Sequence, residues 1–575
     1  MKNLDTKFPK RALSVLMASA TTLALIGCGG TGQDDQTPST SSTQFSGVAI
    51  DGALARATVY LDSNNNATRD PWEDYAFTDN DGYYSYNPKT NTDYCASSAP
   101  ASEKIYCLKS SRSFSNVVVR VDGGYDLLTG EPFLGQMSRR IELEESTSSV
   151  DSVVSPLTTL MTNVESNDDR SNVLNALRIS ENDLDVNYLD SDGTGSVNSS
   201  LLNTALKVHK TVTVLSDRLN DNYEELNNEV GTMNDPSSEV YRSLAQELTA
   251  NSDTGLDNIL RDTQALTRIM DNSESVLRDL YEQKELDLPA DLGSSESPDQ
   301  FTRVVNITSN IPNIVNRLID PISTIDTGGA QGRARALETF VIKSVNEGRN
   351  DDSSIDNAVN FFTNEANTTL VDALTSALSG ERGDLSALLN NDFSGSDFDS
   401  EEEINQASRL DDSAQPLSLL AGSTLKVSDL DLGSAPNDLK DAEVEFYFTG
   451  DTDAISGQFT SCVKFIDGAS TDGTLGEGNS RGELVNGYWS MLGASSDNRS
   501  SFSVLLTIEF LGATYQAILK PNGTATIANT EYERIRFDFD GEIKNWYSVD
   551  GLTTTEIVPT SNKDCETRLP SRVGI

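Results

Sequence analysis

Val154-Ser155-Pro156-Leu157-Thr158-Thr159-Leu160 is the stretch at which the sequence changes period. Ser155 carries the hydroxyl that caps a helix, and Pro156 suits the first turn, where its missing N–H costs nothing. A helical region is therefore expected to start near residue 156. Upstream, residues 45–150 hold short alternating runs between turn residues, such as Ala57-Thr58-Val59-Tyr60-Leu61, Tyr83-Tyr84-Ser85-Tyr86 and Val117-Val118-Val119-Arg120-Val121. Such runs predict a small β-sandwich. Downstream, Leu201, Ala205, Val208, Val212, Leu215 and Leu219 fall at offsets 0, 4, 7, 11, 14 and 18, one face of a helix. No fixed-period repeat is visible in residues 151–390, so an irregular α-helical bundle is expected there rather than a solenoid.

Residues 391–416, with Asp397, Asp399, Glu401, Glu402 and Glu403, are acidic and poor in periodic apolar positions, and read as a linker. From 417 to 575 β-runs return, among them Val444-Glu445-Phe446-Tyr447-Phe448 and Val504-Leu505-Leu506-Thr507-Ile508-Glu509-Phe510. Their spacing with Gly and Asn turns predicts one antiparallel domain of about eight strands, a barrel or a sandwich. The expected fold class is multidomain α+β: an N-terminal β-sandwich, a central irregular α-helical bundle and a C-terminal antiparallel β-barrel or sandwich.

Composition narrows the function. With 43 Lys+Arg against 89 Asp+Glu the formal charge of the 575-residue chain is −46, so nucleic acid is an improbable partner. His209 is the one histidine, which excludes multi-histidine metal centres and any Ser-His-Asp triad built elsewhere. It lies at the edge of the apolar stripe and reads as a packing residue. No P-loop, dinucleotide fingerprint or Gly-x-Ser-x-Gly elbow occurs. A non-catalytic protein is expected, with no catalytic residue assigned.

The N-terminus places Lys2, Lys7, Lys10 and Arg11 before an apolar stretch over residues 13–26, the layout of an export signal too short to span a bilayer. It ends in Leu25-Ile26-Gly27-Cys28, which resembles the lipobox of bacterial lipoproteins. The resemblance implies a signal peptide over 1–27, acylation of Cys28 with palmitate-type chains, and a membrane anchor. Gly29 in place of Asp argues, by the same resemblance, for the outer membrane, on its periplasmic or surface face. Residues 28–44, rich in Gly, Ser, Thr and Gln, read as a flexible tether.

Gly47-Val48-Ala49-Ile50-Asp51-Gly52, with Ala57, Val59 and Asp62 and then Thr78-Asp79-Asn80-Asp81-Gly82-Tyr83, resembles the transthyretin-like or B-type repeats of bacterial surface proteins. That resemblance implies a prealbumin-like sandwich used as a stalk or spacer. The step from Val121-Asp122-Gly123-Gly124-Tyr125-Asp126 to Ser155-Pro156-Leu157 is similar to a segment of secreted marine bacterial proteins, in which a β-module passes into helices.

Within the module, Asp62, Asn64, Asn66, Asp70 and Glu73 place oxygens at positions 1, 3, 5, 9 and 12 of a loop, with Thr68 offering its carbonyl at position 7. This spacing suits a structural calcium ion, although Ala67 stands where an EF-hand needs Gly. A hydrogen-bonded Asx turn without metal is the alternative. A second loop, Asp190-Ser191-Asp192-Gly193-Thr194-Gly195-Ser196-Val197-Asn198, resembles half of a dockerin or EF-hand loop but lacks the acid at position 12; a capped turn before the next helix is its other reading.

Four cysteines remain beside Cys28, an even number in an exported chain, and two disulfides are expected, Cys95–Cys107 and Cys462–Cys565. Trp489 and Trp546 in the last domain are candidates for a ligand face, or else core. These readings combine into an outer-membrane lipoprotein that binds a glycan or another surface protein, or acts as a scaffold, and is stabilised by calcium. The alternative is an accessory lipoprotein for uptake of a hydrophobic ligand, working with an outer-membrane transporter.

Overall fold

A computed structural model describes residues 42–569 apart from short segments, the longest of them 191–195, 290–297, 389–399, 431–438 and 466–482. The export signal, Cys28 and most of the tether lie outside the described residues. The fold is mixed α+β.

The N-terminal part forms two main sheets. In one, Thr43–Ala49 runs parallel to Ser149–Val154 and pairs with Tyr83–Tyr84 and Leu108–Ser110. In the other, Gln136–Glu142, Asn116–Asp122, Thr58–Asp62 and Tyr75–Phe77 lie side by side. Phe45, Ala49 and Val154 of the first share an apolar cluster with Val59, Val119, Val121 and Met137 of the second. The module ends at Val154, four residues beyond the expected boundary, because the strand Ser149–Val154 completes the first sheet. Ser155 then caps the helix Pro156–Thr162 through a capping box with Thr158, and Pro156 opens its first turn.

The helical part follows the expected periodicity. Leu201, Ala205, Val208, Val212, Leu215 and Leu219 of the helix Ser199–Val230 are all buried. Its core is not self-contained, since Val48, Ile50, Tyr83, Leu128 and Val153 of the N-terminal module belong to the same cluster. Residues 400–416, expected as a linker, are folded: Ser400 caps the helix Glu401–Ala407, Ile404 is fully buried, and Leu410 and Ala414 pack on Phe502 of the last domain. The acidic composition hid three apolar anchors set among solvent-facing carboxylates.

The C-terminal part is a closed eight-stranded antiparallel barrel, which decides between the two expected architectures. Ser423–Leu430, Leu439–Phe448, Ser456–Phe465, Glu483–Met491, Val504–Phe510, Ala513–Ile527, Thr530–Phe539 and Glu542–Ser548 pair in succession, and the first strand closes on the last at Ser428 and Tyr547. A short ninth strand, Leu552–Thr554, pairs with Ser423–Leu425 beside the closure. The barrel leans on the N-terminal module, with Leu505 and Ile518 on its outer face packed against Ala55 and Tyr125.

Both disulfides pair as expected, Cys95–Cys107 at 2.06 Å and Cys462–Cys565 at 1.98 Å. The second fastens the terminal helix Asn562–Arg568 to the outside of the barrel, where Cys565 packs with Tyr447 and Leu569. Among the described residues no helix is long and apolar enough to cross a membrane.

Candidate functional site

The 62–73 loop closes on itself. The Asp62 carboxylate accepts from the backbone N–H groups of Asn66 and Ala67 and from Arg120 Nε at 2.5 Å. The Asn64 and Asn66 amides both donate to Asp70 Oδ2, while Thr68 N–H donates to Asn66 Oδ1. Glu73 accepts from the N–H groups of Ser63 and Asp70. These are linked Asx turns. Ala67 takes φ +61°, the left-handed conformation in which Gly would be unstrained. Arg120 plugs the loop further, donating to Asn65 Oδ1 and Gln136 Oε1. As arranged, the residues do not fit a calcium cage: the charge at position 1 is answered by a guanidinium, and two of the asparagines point amide nitrogen at the carboxylate they would have to join. Among the described residues no three His, Cys, Asp or Glu side chains gather as a metal site.

In the second loop, residues 191–195 lie outside the described part. Asn198 Oδ1 accepts from Leu201 N–H at 3.1 Å, the geometry of a cap on the helix Ser199–Val230.

Trp489 and Trp546 do not form an exposed face. Trp489 is fully buried in the barrel, its Nε1 donating to the Thr449 carbonyl and its ring set edge-on to Phe448. Trp546 stacks on Phe537 with centroids 4.0 Å apart. Both belong to the apolar cluster lining the barrel with Leu425, Val444, Phe446, Val504 and Leu519. Sequence patterning cannot separate barrel core from ligand face, because both place an aromatic on every second strand residue.

The exposed aromatics lie elsewhere. Trp72, Tyr75 and Tyr86 are 51%, 41% and 38% exposed, and all three belong to the N-terminal module. Arg112 lies over the Trp72 ring and Arg69 over Tyr75. Tyr86 stands at the rim of a groove of about 390 Å³ between the N-terminal module and the start of the helical part. Its floor comes from the parallel strands at Gly47, Val48, Ser152 and Val153, and its walls from Tyr83, Lys89, Asp151, Asp185, Asn187 and Asp190. Gly47 is required there, since an added Cβ would meet the Ser152 carbonyl at 1.9 Å and Tyr84 Oη at 2.7 Å. Asn187 Nδ2 donates to Tyr83 Oη at 3.3 Å, tying the two walls together. Burial and the neighbouring Asp185 hold the Asp151 carboxyl above its ordinary value, with the Ser152 backbone N–H opposing them.

A buried charged junction joins the N-terminal module to the helical part. His209 Nε2 is 3.2 Å from Asp51 Oδ2, and Lys210 Nζ is 3.5 Å from the same oxygen and 2.8 Å from Glu338 Oε2. His209 is 7% exposed, deeper than its place at the edge of the stripe suggested, and stacks on Phe133. Burial, then Lys210, hold its imidazole well below the ordinary value and hence neutral. Burial pushes Asp51 up to about 6 and Asp126 up to about 7, with Lys210 opposing both shifts. The space beside His209 amounts to about 10 Å³, enough for a single water.

No known protein family, no curated protein and no solved structure matches this chain.

Proposed function

We propose that this chain is a lipid-anchored protein of the bacterial outer membrane that binds a ligand without transforming it, in the groove beside Tyr83 and Tyr86. The observation that carries the binding reading is the exposed ring of Tyr86 at the rim of a groove whose volume is in the range of small-ligand sites. The non-catalytic reading is supported by the enclosure of the one imidazole behind Phe133, with no room for a substrate. The anchor rests on the lipobox-like Leu25-Ile26-Gly27-Cys28. A prealbumin-like sandwich serving as spacer is supported by the two sheets that share one core. Calcium stabilisation is left out of this reading, because Arg120 occupies the loop's first carboxylate.

Labelling with radioactive palmitate should tag the wild type and not Cys28→Ser, which should also leave the membrane fraction. A glycan array probed with the full-length protein should give hits that Tyr86→Ala loses; hits retained by Tyr86→Ala would move binding away from the groove.

The apolar cluster inside the barrel is the observation behind a second reading, in which the protein carries a hydrophobic ligand beside an outer-membrane transporter. Native mass spectrometry of the unanchored Cys28→Ser protein from its own host separates the two, since without its own acyl chains only a carrier co-purifies with lipid or hydrocarbon.

A further inference from the structure

We infer that the seam between the N-terminal module and the barrel holds a small monovalent anion, of the kind of chloride, on the guanidinium of Arg56. Arg56 is 2% exposed, and its Nε and Nη1 are buried with no hydrogen-bond partner among the described residues. Its Cζ lies 4.9 Å from the centroid of the Tyr106 ring. A ring face offsets part of the charge but offers no lone pair to the N–H groups. Burying a guanidinium with neither counter-charge nor acceptors is costly, so the place calls for a group that brings both. Water brings acceptors and no charge.

The acid of this region is already engaged. Asp79 is bonded to Tyr94, whose ring centroid is 5.0 Å from that of Tyr106, and it also accepts from Asn87 Nδ2 and from the N–H groups of Asp81 and Tyr83. The backbone, meanwhile, keeps Arg56 at the seam. Its φ of +58° is the left-handed conformation, which favours Gly or Asn over a long side chain. Its carbonyl accepts from Gln516 Nε2 of the barrel at 2.9 Å, and the N–H of Ala57 donates to Thr78 Oγ1 at 2.9 Å. The Tyr106 hydroxyl is hydrogen-bonded to Ser456, again of the barrel. The charge therefore sits among groups that join the two parts, and an anion on it would strengthen that joint. The formal charge of −46 repels anions at long range, most of all polyvalent ones, which leaves a small monovalent ion bonded directly to the buried cation.

The probes are sodium chloride and sodium gluconate, compared at equal ionic strength on the full-length protein, so that screening is the same in both. We expect the melting temperature to be about 1–3 °C higher in chloride, with a response that saturates as a binding site does. Arg56→Met should abolish the difference between the two salts. Arg56→Gly should abolish it as well, and because Gly relieves the left-handed backbone this variant carries the comparison if Arg56→Met fails to fold. Equal melting temperatures of the wild type in chloride and gluconate overturn the inference, and so does a difference that both variants keep. Crystals of the wild type grown in sodium bromide supply a readout that needs no variant. An anomalous peak bonded to Arg56 Nε and Nη1 supports the site, whereas ordered water there, with bromide elsewhere or absent, overturns it.

Discussion

Arg536 of the barrel donates through Nη1 to Asp384 of the helical part at 2.7 Å, and the same guanidinium meets Glu131 of the N-terminal module at 3.2 Å and Asp538 of its own strand at 2.7 Å. All four side chains are buried. One guanidinium thus ties the three parts of the chain together, with Lys520 Nζ a second cation 3.9 Å from Asp384.

Arg536→Met should destabilise the protein by about 3–5 kcal/mol, because Glu131 and Asp538 would remain buried without the arginine and Asp384 would keep Lys520 at 3.9 Å as its cation. Urea unfolding measures this. A variant as stable as the wild type would show that the junction contributes nothing, and Arg536→Lys, which keeps the charge but loses the planar fork, should fall between the two.

Burial raises Asp126 and Glu131 to about 7 and Asp51 to about 6, against an ordinary value near 4. Between about pH 4 and pH 7 the folded state therefore keeps protons that the unfolded chain has lost, and this contribution to stability declines as pH rises through that window and levels off above it. Neutral His209 acts in the opposite direction below about 6.5, so the decisive comparison is between variants. Asp126→Asn should melt higher than the wild type at pH 8 and show a shallower fall between pH 5 and 8. An identical slope would place the titration in other groups.

In the 62–73 loop Arg120 supplies the positive charge that a cation would bring. The melting temperature of the wild type should accordingly be insensitive to calcium at about 10⁻³ M, the range of extracellular calcium modules. Arg120→Met should lower stability and make it respond to calcium, since Asp62 would then be free to coordinate. A calcium response in the wild type that Asp62→Ala abolishes would show that the ion displaces the arginine.

Reduction of Cys462–Cys565, which closes a loop of 103 residues, should cost up to about 4–5 kcal/mol on the chain-entropy account. Cys95–Cys107 closes 12 residues and should cost about 3 kcal/mol or less. Non-reducing peptide mapping should recover both bridges, and free thiols at the four positions would refute them.

Local signals were legible because their physics is local. Ser155 and Pro156 mark a helix start through groups within four residues, and the period of the helix around Leu201 and Leu215 depends on one buried face. The run Val504-Leu505-Leu506 reads as a strand, and the structure buries both of its faces: Val504 and Leu506 face the barrel interior while Leu505 meets the N-terminal module. The helix Glu401–Ala407 was missed because a short amphipathic turn with the single anchor Ile404 leaves no period to detect.

The sequence by itself determined the order of the parts, the helix start at 156, the strand content at both ends and the cysteine pairing, all set by period, capping and proximity along the chain. Long-range packing alone settled that the last domain is a closed barrel, that Arg120 fills the 62–73 loop, that Trp72, Tyr75 and Tyr86 are exposed, and that a groove forms between the N-terminal module and the start of the helical part. Those outcomes depend on pairs far apart in the chain, such as Ser428 with Tyr547, Asp62 with Arg120, and Tyr83 with Asn187. Which distant side chain answers a charge or covers a ring is fixed by packing, and no spacing in the sequence encodes it.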